Sequence, residues 1–166
     1  MNRPLRPLSI AAILLIFLLL PACATFVEYG SDTDFGIGAR GNLPLGQLLT
    51  GEDQRGASAI SRLEFAGSIH QFFPSGADYT EVNADLLLPL FRLGDGAARS
   101  YVGSGIHLGR ISPDVGGSDS KLGLNLIGGV RFNRPTMAPF FEVRASVGGV
   151  DQLSAVAGLQ LFGGMF

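Results

Sequence analysis

YTEVNADLLLPLFR, residues 79–92, separates into two alternating sets. Thr80, Val82, Ala84, Leu86, Leu88 and Leu90 share one face, and Tyr79, Glu81, Asn83, Asp85, Leu87, Pro89 and Phe91 share the other. A strand places successive side chains on opposite faces, so the stretch reads as a period-two element with one fully apolar side and one side that begins polar. As a helix it would smear its charges around the axis, and Pro89 would break it. What remains to be decided is whether the apolar side meets a protein core or lipid.

Working outward, the same alternation recurs. Phe35, Ile37, Ala39, Leu43 and Leu45 alternate with Asp34, Gly36, Gly38, Arg40 and Asn42, and Ala59, Leu63, Phe65 and Ile69 with Arg62, Glu64, Ser68 and His70. Val102, Ile106 and Leu108 stand against Tyr101, Gly103, Gly105 and His107; Leu122 to Phe132 and Phe141 to Val147 follow the same rule, as does Leu153 to Leu161. Turn-rich pieces separate these segments: Pro74-Ser75-Gly76-Ala77, Gly94-Asp95-Gly96, Pro113 to Ser120, Asn133-Arg134-Pro135 and Gly148-Gly149. They read as the connections of an antiparallel meander. Seven segments are clear, and Phe26 to Gly30 supplies an eighth, although the Gly46 to Ala57 connection could also hide part of a strand.

Composition bears on lipid against core. Only 16% of the 166 residues are charged, a single lysine is present, and glycine numbers 24; ordinary soluble domains run near about 25% charged. The polar faces are glycine, serine, asparagine and potentially paired charges, which suits a cramped polar interior better than a water-exposed surface. Aromatic residues gather where segments meet turns, at Phe72, Phe73, Tyr79, Phe91, Tyr101, Phe132, Phe140 and Phe141, and are expected to form girdles at two membrane interfaces. A formal charge of −2 without a basic patch gives no nucleic-acid footprint. The reverse arrangement stays open: a soluble or lipid-anchored periplasmic β-barrel with apolar faces inward, binding a small ligand.

Residues 1–24 read as an export signal: Arg3 and Arg6, the apolar run Ile10 to Leu20, then Pro21-Ala22-Cys23-Ala24. The run is shorter than the roughly twenty residues a spanning helix needs, although a retained anchor is the alternative. Ala22-Cys23-Ala24 fits ordinary signal-peptidase cleavage, and Leu20-Pro21-Ala22-Cys23 resembles a bacterial lipobox that would make Cys23 a lipidation site. Either leaves residues 25–166 as one domain outside the cytoplasm. One cysteine makes no internal disulfide.

The series FFPSGADYTEVNADLLLPLF, YVGSGIHLG, LGLNLIGGVRF and PFFEVRASVGG resembles the small bacterial outer-membrane β-barrel proteins of the OmpA/OmpX-like type, over nearly everything after residue 33. The C-terminal Phe166 looks like the assembly signal of such barrels, with a bulge at Gly163-Gly164 needed to put it on the lipid face. The resemblance implies an all-β, single antiparallel up-and-down transmembrane barrel of eight strands. Its partners would be outer-membrane lipid and the envelope's barrel-assembly machinery; a monomer without cofactor is expected.

An eight-stranded barrel is just wide enough to be filled by side chains. The inward charges form the expected lumen network: Arg40, Arg62, Arg131 and Arg144 against Glu64, Glu81, Asp85 and Glu142, with His107 beside them. Tight hairpins would set Arg131 opposite Glu142 and Asp85 facing His107. A polar plug is the leading reading, and a narrow solute or proton path the alternative. For catalysis of a lipid-modifying kind, Ser68, His70 and Glu64 share a face, yet strand spacing disfavours direct contact of Ser68 with His70, so no catalytic residue is assigned. Two histidines and one cysteine make a zinc site unexpected. Asp114 and Asp119, in the Pro113 to Ser120 loop, could serve a cation or a partner.

Overall fold

The computed structural model describes residues 22–45, 62–113, 116–134 and 136–161. Eight strands follow one another in a closed antiparallel barrel: β1 (Ala22–Gly30), β2 (Asp34–Pro44), β3 (Glu64–Phe72), β4 (Ala77–Leu93), β5 (Ala98–Pro113), β6 (Asp119–Phe132), β7 (Met137–Val147) and β8 (Gln152–Leu161). Each strand pairs with its sequence neighbour, and β1 closes the ring on β8 from Cys23↔Leu161 to Gly30↔Ser154. The expected eighth strand is therefore β1. It begins at Ala22 and takes in Cys23 and Ala24, which pair with Gly41 and Arg40 of β2. Most of the export segment, the Gly46 to Ala57 connection, Asp114, the Gly163-Gly164 pair and Phe166 lie outside the described residues.

The alternation sorts the side chains as the pattern requires. Leu122, Leu124 and Leu126 of β6 are 66%, 63% and 63% exposed on the outer wall, while Asn125 between them is 1% exposed. In β4, Glu81, Asn83 and Asp85 are buried, and Val82 and Leu86 face out. The apolar faces thus point outward around the ring, opposite to the arrangement a soluble barrel would need. A sheet closed on itself leaves no unpaired edge, which is what allows a β-structure to sit in hydrocarbon.

Two departures from the expected pattern have local causes. The β4–β5 register shifts between Pro89 and Arg92, and such a bulge turns the following side chains over. Phe91, expected on the polar face, is 68% exposed outside. Proline fits here because β3 pairs with β4 only as far as Leu87, so Pro89 needs no donor on that side. The aromatic girdle is also corrected. Phe72, Tyr79, Tyr101 and Phe140 are buried inside the barrel, where their rings fill space beside glycine-rich wall. Phe73, Phe132 and Phe141 are outside as the girdle requires, with Phe91 brought there by the bulge and Tyr29 and Phe35 beside them.

Small residues make room for the interior rings. A Cβ on Gly38 would collide with the Phe26 ring, and one on Gly129 would come within 2.6 Å of Tyr101 Cζ. The two apolar interior clusters are correspondingly modest: Ala24, Phe26, Phe140 and Val156 form one, and Ala66, Leu87, Tyr101 and Ile127 the other. The rest of the lumen is polar.

Candidate functional site: the polar lumen

Polar side chains reach inward from every strand, and three linked groups span the lumen. In the first, both terminal guanidinium nitrogens of Arg40 (β2) donate to Glu142 (β7), Nη2 to Oε2 at 2.6 Å, and Tyr101 Oη (β5) donates to Glu142 Oε1 at 2.6 Å. The Arg40 guanidinium also lies over the Phe140 ring, 5.1 Å from its centroid. Bidentate geometry with a third donor is the arrangement that lets a buried ion pair repay desolvation.

The second group centres on Asn125 of β6. Its amide donates to Asn83 and Asp85 of β4, and its carbonyl accepts from His107 Nδ1 at 2.8 Å and Ser146 Oγ at 3.0 Å. Arg144 completes it, donating to Asn83 Oδ1 and pairing with Asp85 at 3.1 Å. One asparagine therefore ties β4, β5 and β7 together across the barrel.

The third group joins Ser68 and His70 of β3 to Glu28 of β1. Ser68 Oγ lies 2.8 Å from His70 Nε2, and His70 Nδ1 lies 2.5 Å from Glu28 Oε2. Glu28 also accepts from Ser154 of β8. A carboxylate only accepts, so Nδ1 carries the proton toward Glu28, and Nε2 is left to accept from the serine. The contact that strand spacing disfavoured is made because the His70 ring is wedged between Phe26 at 4.7 Å and Phe72 at 6.2 Å. The acid is Glu28 and not Glu64. Serine, imidazole and carboxylate in this order are the relay that activates a hydroxyl, but Ser68, His70 and Glu28 are 2%, 1% and 2% exposed. The Ser68 hydroxyl therefore sits inside the filled lumen and off its surface.

The remaining expected residues separate. Arg131 does not meet Glu142: its partner is Glu64, at 2.9 Å near one mouth of the barrel, because register places Glu142 opposite Gly129. Asp85 does not face His107, which pairs in register with Asn83. Glu81 takes the Tyr79 hydroxyl at 2.7 Å. Arg62 is exposed just ahead of β3 and makes no hydrogen bond or ion pair with the interior among the described residues. Asp119 is the first residue of β6, so the loop expected over Pro113 to Ser120 shortens.

Removing Arg62 and adding Glu28 changes the expected balance. The described interior holds three arginines, Arg40, Arg131 and Arg144, against five acids, Glu28, Glu64, Glu81, Asp85 and Glu142. Two acids therefore lean on hydrogen bonds: Glu28 on His70 and Ser154, Glu81 on Tyr79. The sequence signal for Glu28 was present, an acid between the outward Val27 and Tyr29 in a segment of the same parity. Alternation puts Tyr79 and Tyr101 on the polar face, the girdle reading takes them out of it, and their hydroxyls turn aromatic rings into lumen donors.

A closed eight-stranded up-and-down barrel with a hydrogen-bonded polar filling and an apolar outer wall has the architecture of the small outer-membrane barrels. Comparison with solved structures gives the same class. The chain is similar to Neisserial surface protein A, with 16% identity over 84% of this chain and 94% of that one and a TM-score of 0.56. The outer membrane enzyme PagL has 9% identity over 84% of this chain and 96% of that one, with a TM-score of 0.49. Ail, the attachment invasion locus protein of Yersinia pestis, has 15% identity over 84% and 92%, with a TM-score of 0.43. No family model and no curated protein sequence matches the chain. At these identities the likeness is one of fold.

Proposed function

We propose that the chain is a bacterial outer-membrane barrel whose lumen is a structural filling, so that its role is to stand in the envelope or to present surfaces to partners, without catalysis. The observation carrying this reading is the Asn125 and Glu142 networks, which cross the lumen with buried side chains from β2, β4, β5, β6 and β7. Export by the N-terminal segment and insertion by the envelope's assembly machinery are part of the same proposal, since an apolar outer wall requires lipid. Purified protein in planar bilayers should be electrically silent, and the chain should fractionate with the outer membrane and migrate faster on gels when unboiled. Discrete conductance steps would overturn the filled lumen, and recovery in the soluble periplasmic fraction would overturn the membrane assignment.

A second reading, a serine hydrolase, is favoured only by the Ser68–His70–Glu28 geometry. Its test is a fluorophosphonate probe on the folded barrel. Labelling that disappears in Ser68→Ala would establish an accessible nucleophile and displace the structural reading.

A further inference from the structure

Among the described residues, the two ends of the barrel carry opposite charge. At the end holding the turns 31–33 and 73–76, the β5–β6 connection and the β7–β8 turn, Asp32, Asp34, Asp78, Asp119 and Asp151 are exposed, with Arg110 and Lys121 the basic residues among those described. At the other end, where β1 begins and β8 stops, the charged residues described are Arg62, Arg92, Arg99, Arg131 and Arg134 against Glu64 and Asp95. Three of these arginines are in register: Arg92 of β4 is the direct partner of Arg99 of β5, which is the direct partner of Arg131 of β6.

Like charges directly opposite in a sheet repel and destabilise it. A row of three would therefore be expected to carry interleaved acids, yet Glu64 on Arg131 is the one acid in contact with it among the described residues. Among the described residues Arg92 and Arg99 make no ion pair or hydrogen bond, and Arg131 Nε is buried without a hydrogen-bond partner. Arg99 and Arg131 line a small cleft of about 40 Å³ at this mouth, with Glu64 and Asn133 beside them and Leu87, Pro89 and Tyr101 as its apolar wall. The backbone beside the row is also tied down. Asn133 donates from its side chain to Gly96 O at 2.7 Å and from its backbone to Ala97 O at 2.9 Å, fixing the β4–β5 turn to the end of β6. Just outside, Phe91 and Leu93 are exposed on the outer wall with Phe132 close by, which sets the arginines at the level where such walls meet headgroups.

We propose that the Arg92–Arg99–Arg131 row is an anion-binding rim for a phosphate group. Guanidinium forks match phosphate oxygens bidentately, and register on a fixed backbone keeps the three groups together. The phosphate can belong to a soluble molecule entering the mouth or to the headgroup of an adjacent lipid, and the two sources are separable.

The full chain is refolded in a zwitterionic detergent and titrated calorimetrically with inorganic phosphate and with pyrophosphate. In parallel, its unfolding midpoint is measured in phosphatidylcholine vesicles with and without phosphatidylglycerol. The Arg92→Gln/Arg99→Gln double variant alters side chains that make no ion pair or hydrogen bond among the described residues, so it should fold; Arg110→Gln/Lys121→Gln at the acidic end is the control. Binding of either soluble probe, weakened about tenfold or more in the rim variant and unchanged in the control, supports the rim with a soluble ligand. A midpoint raised by phosphatidylglycerol in the wild type but not in the rim variant supports it with a lipid one. Absence of both responses, or equal loss in the control, overturns the proposal.

Discussion

Replacing Glu142 by glutamine tests whether the lumen is dry and held by specific pairing. The Glu142 side chain is fully buried; it takes two donors from Arg40 and one from Tyr101, with Arg144 4.0 Å away. Glutamine keeps the shape and removes the charge, leaving the Arg40 guanidinium buried without its carboxylate. Breaking such a pair from one side costs about 3–5 kcal/mol, a large part of the roughly 5–15 kcal/mol that holds a typical domain together. The companion variant Arg40→Met/Glu142→Leu removes both charges, and replacing a whole buried pair by apolar groups is often neutral or better. The double variant should therefore be more stable than Glu142→Gln alone. With no tryptophan in the chain, folded and unfolded populations are best read from gel mobility and far-ultraviolet circular dichroism across a urea series in phosphatidylcholine vesicles. A loss below about 1 kcal/mol in Glu142→Gln, the range of exposed pairs, would refute the reasoning, because it would mean that water screens the lumen.

Arg131→Met breaks the corresponding pair at the mouth, where the side chains of Arg131 and Glu64 are 18% and 19% exposed; the same urea series should show a cost of about 1 kcal/mol or less. Gly38→Ala drives a methyl into the Phe26 ring and within 2.7 Å of Ile69 O, so it should lose about 1–3 kcal/mol by overpacking. Gly128→Ala meets nothing within 4 Å and should stay within about 0.5 kcal/mol of wild type. Leu126→Arg, on the outer wall, should cost about 2–4 kcal/mol in vesicles if that wall lies near the bilayer midplane; an unchanged midpoint would argue that the wall does not face hydrocarbon.

The wall was readable from sequence and the filling was not, for a physical reason. Alternation is a local property: Val82 and Asp85 reveal their faces from neighbours two residues away, and the scarcity of lysine says what those faces avoid. Partner choice inside the lumen is instead set by register and by reach across the barrel. Arg40 finds Glu142 from β2 to β7, and His70 finds Glu28 from β3 to β1, pairs that no hairpin geometry suggests. Hairpin reasoning paired Arg131 with Glu142 and Asp85 with His107, residues whose real neighbours in register are Phe140, Gly129, Gly105 and Asn83. The aromatic residues were misplaced for a related reason. Position near a strand end identifies Phe73 and Phe132 but also collects Phe72 and Phe140, whose parity points them inward beside Gly36 and Gly158.

Closure of the ring by β1 on β8 also governs the order of events in making the molecule. Cys23 and Leu161 are partners across nearly the whole described chain, the longest-range contact an up-and-down topology allows, and such contacts form late. Until β8 is present, β1 is a bare edge, and in hydrocarbon each of its unpaired backbone groups costs several kcal/mol. A chain missing its last strand is thus not a slightly weaker barrel of seven strands but an open sheet with two bare edges, β1 and β7, and no resting place in a bilayer. The first strand made must wait for the last, so the ring itself distinguishes a finished chain from an unfinished one.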